Sequence, residues 1–147
     1  MKITYKGEYG IKAMLDLSYR YNGTEIVPLT DIAMRQDIPV KYLEQIMLVL
    51  KKAGYVESKR GIGGGFILSK PPDSITLGEI VRAIEGPLEP VTDNKTDNSN
   101  YQESAIREVW QQVKNATEEI VDTVTFAGIM RRADELRQQN NELIYYI

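Results

Sequence analysis

Apolar residues along this chain recur in two rhythms, and the switches between them divide it into elements. Between Tyr9 and Tyr21 the positions Ile11, Met14, Leu15 and Leu17, with Tyr19 beside them, follow a helical spacing that Asn22-Gly23 brings to an end. A short extended piece at Ile26-Val27 leads to Pro28-Leu29. Asp31 to Gln36 predicts a second helix with Thr30 as its N-cap. Asp37-Ile38-Pro39 breaks it, because proline disfavours helical geometry in the residue before it. A third helix runs from Val40 to Ala53, with Leu43, Ile46, Met47 and Leu50 on one face and Gly54 closing it. Met14, Met34 and Met47 read as gap-filling core residues.

The rhythm then changes. Tyr55 to Arg60 and Phe66 to Lys70 are β-prone runs on either side of Gly61-Ile62-Gly63-Gly64-Gly65, a pattern that predicts a hairpin. Pro71-Pro72 ends it. Ser74 to Glu79 opens a fourth helix, with Ile80, Val81 and Ile84 apolar and Gly86-Pro87 as the stop. Residues 87–102 are rich in Asn, Asp and Thr and read as a loop. Beyond them Ile106, Val109, Trp110, Val113, Ala116, Ile120, Val121 and Val124 recur every three or four residues. That spacing predicts about twenty residues of helix with one apolar seam. A last amphipathic piece, Phe126 to Leu136, precedes the apolar tail Leu143-Ile144-Tyr145-Tyr146-Ile147.

The expected fold class is therefore mainly α. A winged helix-turn-helix unit spans residues 1–86, a loop residues 87–102, and a long helix with its tail residues 103–147. The long seam could line a monomer core or a partner surface. A helix of this length added to a self-contained module usually needs a second copy, so a symmetric homodimer is expected, with Ile106, Val109, Trp110, Val113, Ile120 and Val124 at the contact.

Composition narrows the chemistry. The chain has no cysteine and no histidine. That removes thiolate nucleophiles, cysteine-ligated clusters and the usual general base near neutral pH, so no enzyme is expected. Acidic residues such as Asp93, Asp97 or Glu103 read as solvated loop residues rather than ligands, and no metal or cofactor is expected. The start, Met1 to Tyr9, is polar and unlike a signal peptide. No stretch approaches the roughly 18 apolar residues of a membrane span, which makes a cytoplasmic protein the expectation.

The net charge of −3 is unevenly spread. Residues 1–70 hold 11 Lys and Arg against 7 Asp and Glu, whereas residues 71–147 hold 7 against 14. Lys41, Lys51, Lys52, Lys59, Arg60 and Lys70 crowd into residues 41–70 with only Glu44 and Glu57 beside them. A globally acidic protein binds a polyanion when its cations gather where the polyanion docks.

A helix, a proline-marked turn, a second helix and a hairpin together need polar side chains on the first turn of the second helix to reach base edges in the major groove. Lys41, Tyr42, Glu44 and Gln45 stand there. Glu accepts from the cytosine amino group and Gln pairs with adenine. Lys59 and Arg60 fit a cationic wing on backbone or minor groove, and the following Gly63 and Gly64 let the main chain approach phosphate. Singly, each of these residues reads as well as an ordinary surface residue; their combination points to double-stranded DNA. The glycine run is not a phosphate loop, since no Lys-Ser/Thr follows it and a strand comes next.

Four blocks carry a resemblance: Lys6-Gly7-Glu8-Tyr9-Gly10, Tyr42-Leu43-Glu44-Gln45-Ile46, Arg60 to Leu68, and Ile84-Glu85-Gly86-Pro87. In order and spacing they resemble the Rrf2 family of bacterial transcription regulators over residues 1–90. The resemblance implies a homodimer that acts as a repressor on a palindromic operator. It also implies Tyr42, Glu44 and Gln45 in the major groove, Arg60 in the minor groove, and Lys6 and Tyr9 near the backbone. Many family members hold an iron–sulfur cluster through three cysteines between the fourth helix and the dimer helix; this chain has none there. Lys41 replaces a small polar residue common in relatives, so the operator does not carry over.

The chain is similar to a cluster-free branch, the regulators of cysteine metabolism, through Glu85-Gly86-Pro87, the Trp110 helix and the aromatic-isoleucine ending. In that branch the tail binds cysteine synthase, which the resemblance extends to Tyr145, Tyr146 and Ile147. The same tail could instead pack on the dimer helices. A rival reading keeps the winged helix as a scaffold and makes the protein an interaction adaptor.

Overall fold

A computed structural model describes residues 1–89 and 100–145. Six helices and one hairpin follow in the order α1 (Tyr5–Arg20), α2 (Leu29–Gln36), α3 (Val40–Lys52), β1 (Val56–Lys59), β2 (Gly65–Leu68), α4 (Leu77–Glu85), α5 (Tyr101–Thr123) and α6 (Phe126–Tyr145). A short 3-10 turn, Pro72–Ser74, lies between β2 and α4. The element types match the sequence pattern, and several boundaries move for reasons of packing.

The first helix begins at Tyr5, not Tyr9, and runs straight through Gly7 and Gly10. Glycine inside a helix costs roughly 1 kcal/mol against alanine, so the pattern delayed the start. Here the missing side chains let α4 approach. A Cβ on Gly7 would lie less than 3.0 Å from Glu85 Oε1, and one on Gly10 less than 3.0 Å from Ile84 Cδ1. Two blocks far apart in sequence are thus one contact surface.

The second helix starts at Leu29 with Pro28 at the N-cap position, so Thr30 sits inside the first turn and caps nothing. Proline suits a helix start, where its lack of an N–H leaves no bond unmade. Asp37 then adopts a left-handed conformation (φ 52°) and the Ile38 N–H returns to Ala33 O, forming the turn into α3. Beneath this pair Asp16 is buried (4 % exposed) and held by Arg35 through two bonds of 2.9 and 2.8 Å, with Gln36 adding a third. Met34, expected in the core, is 76 % exposed and points away from it. Met14 and Met47 are fully buried, as expected.

The hairpin is antiparallel, pairing Val56 with Leu68 and Lys59 with Gly65. The extended piece at Val27 joins it, exchanging two 2.8 Å backbone bonds with Phe66. The fourth helix opens at Leu77 rather than near Ser74, under a capping box in which Thr76 and Glu79 satisfy each other's backbone donors. Gly86, at φ 85°, ends it.

Two departures lie after residue 100. The expected last piece, Phe126 to Leu136, is one continuous helix to Tyr145 that takes up Leu143 and Ile144. The expected loop also gives up Tyr101 and Gln102 to α5, while Leu88 is buried. Residues 90–99, with Asp93 and Asp97, and the tail residues Tyr146 and Ile147 lie outside the described residues.

The core joins Met14, Leu17, Ile32, Leu43, Ile46, Met47, Leu50, Val56, Leu68 and Ile80 from the first four helices and the hairpin, with Ile75 from the segment just before α4. Phe126, from the start of α6, is its largest fully buried side chain. Backbone bonds from Leu77 N–H to Val124 O and from Phe126 N–H to Ile75 O fasten the chain there. The N-terminal unit therefore includes a residue well beyond position 86. No helix among the described residues is long and apolar enough to cross a membrane.

Candidate nucleic-acid interface

Helix α3 divides its residues between two environments. Leu43, Ile46, Met47 and Leu50 are buried, and Lys41, Tyr42, Glu44 and Gln45 are exposed. With about 3.6 residues per turn, one buried stripe anchors the helix and leaves the opposite face of its first turns free to reach out. None of the four outward residues makes a side-chain bond to the rest of the described residues, so their polar groups are available to a ligand.

The start of α1 lies beside this helix. Tyr5, Lys6, Tyr9 and Tyr42 line a depression of about 300 Å³, and the Tyr5 and Tyr9 rings stand 6.2 Å apart. The structure thus brings together Lys6, Tyr9 and Tyr42. Tyr5 was missed, because the pattern began the helix after it; the spacing of four between Tyr5 and Tyr9 would have shown them on one face. Three phenols and an ammonium offer donors suited to phosphate oxygens.

Lys59 and Arg60 stand exposed at the end of β1, and Gly61, Ile62 and Gly63 form the tip beyond them. Gly61 and Gly63 have φ of 91° and 74°, in the left-handed region glycine tolerates. Gly63 is exposed and open to close approach. Gly64 differs: its N–H donates to Gly61 O at 3.0 Å, so it closes the turn and offers no donor to phosphate. Of the six cations in residues 41–70, Lys70 is engaged elsewhere. It sits 3.5 Å from Glu79 Oε1 and over the Tyr55 ring. Lys41, Lys51, Lys52, Lys59 and Arg60 make no ion pair among the described residues.

Helix α5 buries no residue. Ile106, Val109, Trp110, Val113 and Ile120 are all exposed, and Ile120 keeps 64 % of its surface. Its other side is tied to the N-terminal unit by ions: Arg82 reaches Asp122 at 2.8 Å, and Lys114 pairs with Glu89. Val124 needs correction. It stands after the helix end, its carbonyl bound to Leu77, and lines a groove of about 530 Å³ with Ile129 and Leu136 rather than continuing the seam. Leu143 and Ile144 are exposed near the end of α6; Tyr145 closes that helix.

The sequence model of the Rrf2 family, described as iron-dependent transcriptional regulator, matches residues 3–132. The chain is 37 % identical to the HTH-type transcriptional regulator CymR of Bacillus subtilis, over 91 % of this chain and 93 % of that protein. It is 32 % identical to the HTH-type transcriptional regulator IscR of Erwinia tasmaniensis, over 97 % of this chain and 89 % of that one. Among solved structures it is similar to CymR, the global cysteine regulator of B. subtilis, with a TM-score of 0.76 and 36 % identity over 88 % of this chain and 95 % of that one. IscR of T. potens gives a TM-score of 0.74 at 38 % identity, over 92 % and 90 %.

Proposed function

This chain belongs to the Rrf2 family of transcriptional regulators, and from that premise we propose that it is a sequence-selective DNA-binding repressor acting as a cytoplasmic homodimer on a palindromic operator. The observation that carries the reading is the division of α3: a core-anchored stripe with Lys41, Tyr42, Glu44 and Gln45 free on the other side. Lys59 and Arg60 on the wing, and Lys6 with Tyr5 and Tyr9, supply phosphate-seeking groups around it. Cations give affinity by neutralising phosphates, and the base-edge contacts of α3 give selectivity.

The exposed seam Ile106, Val109, Trp110, Val113 and Ile120 supports the dimer. A row of apolar side chains on a helix that buries none of its own residues is covered most simply by the same row of a second copy. Sedimentation of the full chain should give a dimer; a stable monomer at micromolar concentration overturns this part. Footprinting on the DNA upstream of the chain's own gene should show salt-sensitive, sequence-selective protection. Its absence favours the adaptor reading, in which the winged helix is a scaffold.

The family description names iron, and the residues of this chain do not fit an iron–sulfur cluster. It contains no cysteine or histidine. Glu89, at the start of the corresponding segment, is paired with Lys114. Among the described residues no three His, Cys, Asp or Glu side chains gather as a metal site. The signal is assigned instead to a small ligand or a partner protein.

Kinship with CymR, the global cysteine regulator of B. subtilis, supports a role near cysteine metabolism. In that reading Tyr145, Tyr146 and Ile147 dock into cysteine synthase, and exposed Leu143 and Ile144 leave the approach to the tail uncovered in a single chain. A pull-down with cysteine synthase checks it: binding unchanged on removal of Ile147 discards the docking tail and leaves packing on the dimer helices.

A further inference from the structure

The side chain at the very tip of the wing is neither a cation nor a glycine. Ile62 is fully exposed (106 %), the most exposed large apolar residue described. A lone exposed isoleucine carries no message by itself. Its setting does. Gly61 and Gly63 flank it in left-handed conformations, and the Gly64 N–H to Gly61 O bond closes the turn beneath it. At the base Lys59 pairs with Gly65, and a Cβ on either Gly64 or Gly65 would lie within 3.0 Å of backbone atoms. This closed turn, packed tightly at its base, presents Ile62 at the tip and away from the core.

We propose that Ile62 is a specificity-determining residue of the wing, entering the minor groove beside Arg60 as an apolar wedge that favours A·T pairs. The inference rests on the DNA-binding reading above and adds a residue to it. The tip is narrow, because glycines on both sides add no bulk, and a B-form minor groove is only about 6 Å wide. Lys59 and Arg60, next along the chain, are drawn by the negative potential of that groove, which deepens over A·T tracts. Apolar side chains are the groups that proteins press between base steps there. Over A·T pairs the groove floor presents only the recessed adenine N3 and thymine O2 acceptors and no protruding amino group, so an isoleucine can pack close to it. Over G·C it would cover the guanine N2 amino group and strip it of water. An apolar protein partner fits less well, since it would meet one side chain set among glycines and cations rather than a continuous patch.

The test uses the full chain, in vitro selection from a random duplex pool, and affinities for the selected duplex and a scrambled one. Ile62→Ala is expected to lose roughly five- to tenfold on the selected duplex, little on the scrambled one, and the A·T preference at the wing position in its own selection. Ile62→Val should stay within about twofold. Placing G·C under the wing should weaken the parent, and inosine·C, which lacks the N2 amino group, should restore it. The melting temperature of Ile62→Ala should equal the parent's, since the side chain touches no core. Equal affinity and equal selected sequences for Ile62→Ala and the parent overturn the proposal, as does an equal loss on both duplexes. A parent that selects no duplex overturns the DNA-binding reading itself, and this inference with it.

Discussion

Glu85, the last residue of α4, accepts hydrogen bonds from both the backbone N–H and the hydroxyl of Thr4, at 2.7 and 2.6 Å. Thr4 is the N-cap residue of α1 and its own side chain caps nothing, so a carboxylate from 81 residues away does the capping. The positive end of the helix dipole favours an anion there. The first turn that it holds carries Tyr5 and Lys6, two of the groups in the depression beside α3. Through this one carboxylate, the end of α4 sets where α1, with Tyr5 and Lys6, begins.

Glu85→Ala should therefore lower stability by about 1–2 kcal/mol, a reduced figure because the bonds are partly exposed. Urea unfolding measures it. Glu85→Gln keeps an acceptor for Thr4 and should recover part of the loss. If Glu85→Ala unfolds like the parent, Thr4 is satisfied by water and the staple has no weight.

Gly65→Ala should disrupt the wing. A Cβ there would lie within 3.0 Å of Val27 O and of Pro28 Cα, backbone atoms of the piece that pairs with Phe66. A clash with backbone has no side chain to move aside, so a cost above about 2 kcal/mol is expected. Gly23→Ala is the control. Gly23 is also at positive φ (90°) but meets nothing within 4 Å, so only the conformational cost of about 1 kcal/mol applies. Equilibrium unfolding compares the two, and exchange of the Phe66 amide reports whether its bond to Val27 has opened.

The tie between α4 and α5 should depend on pH. The Arg82 guanidinium, hydrogen-bonded to Asp122, holds that carboxyl below its ordinary value of 3.8. As pH falls, the unfolded chain takes up its proton first. The pair's contribution is thus complete above the ordinary carboxylate range and is lost as pH drops through the lower folded value. The difference in melting temperature between the parent and Asp122→Asn should be largest near about pH 7, close below about pH 4, and shrink with added salt because the pair is partly exposed. A difference that is constant across that range contradicts the assignment.

Arg60→Ala and Glu44→Ala should separate affinity from selectivity. Loss of the wing cation is expected to weaken operator binding about tenfold or more and to lower the salt slope by about 1. Loss of the carboxylate on α3 should leave affinity nearly intact and relax preference at one base pair by about 1–3 kcal/mol. Footprinting titrations at several salt concentrations check both. Two variants that bind like the parent remove these residues from the reading head.

What the sequence determined by itself is the local order of elements and the outward face of α3. Those follow from periodicity, because Leu43, Ile46, Met47 and Leu50 recur at helical spacing and can bury only one side. The glycine tip between two β-prone runs was legible for the same reason, as glycine is the residue that accepts φ of 91° and 74°. The places where the pattern misled are those where a distant partner overrode a local preference. The helix expected from Tyr9 begins at Tyr5 and takes in Gly7, and its glycines at 7 and 10 leave the space that Glu85 and Ile84 fill. Phe126 looked like the start of a separate piece and closes the core beside Ile75. Val124 kept the rhythm of the seam and left it, since its carbonyl is taken by Leu77. Only tertiary structure decided these, because a residue's cost or benefit at such sites belongs to a contact made across the fold, and a contact of that kind has no spacing along the chain.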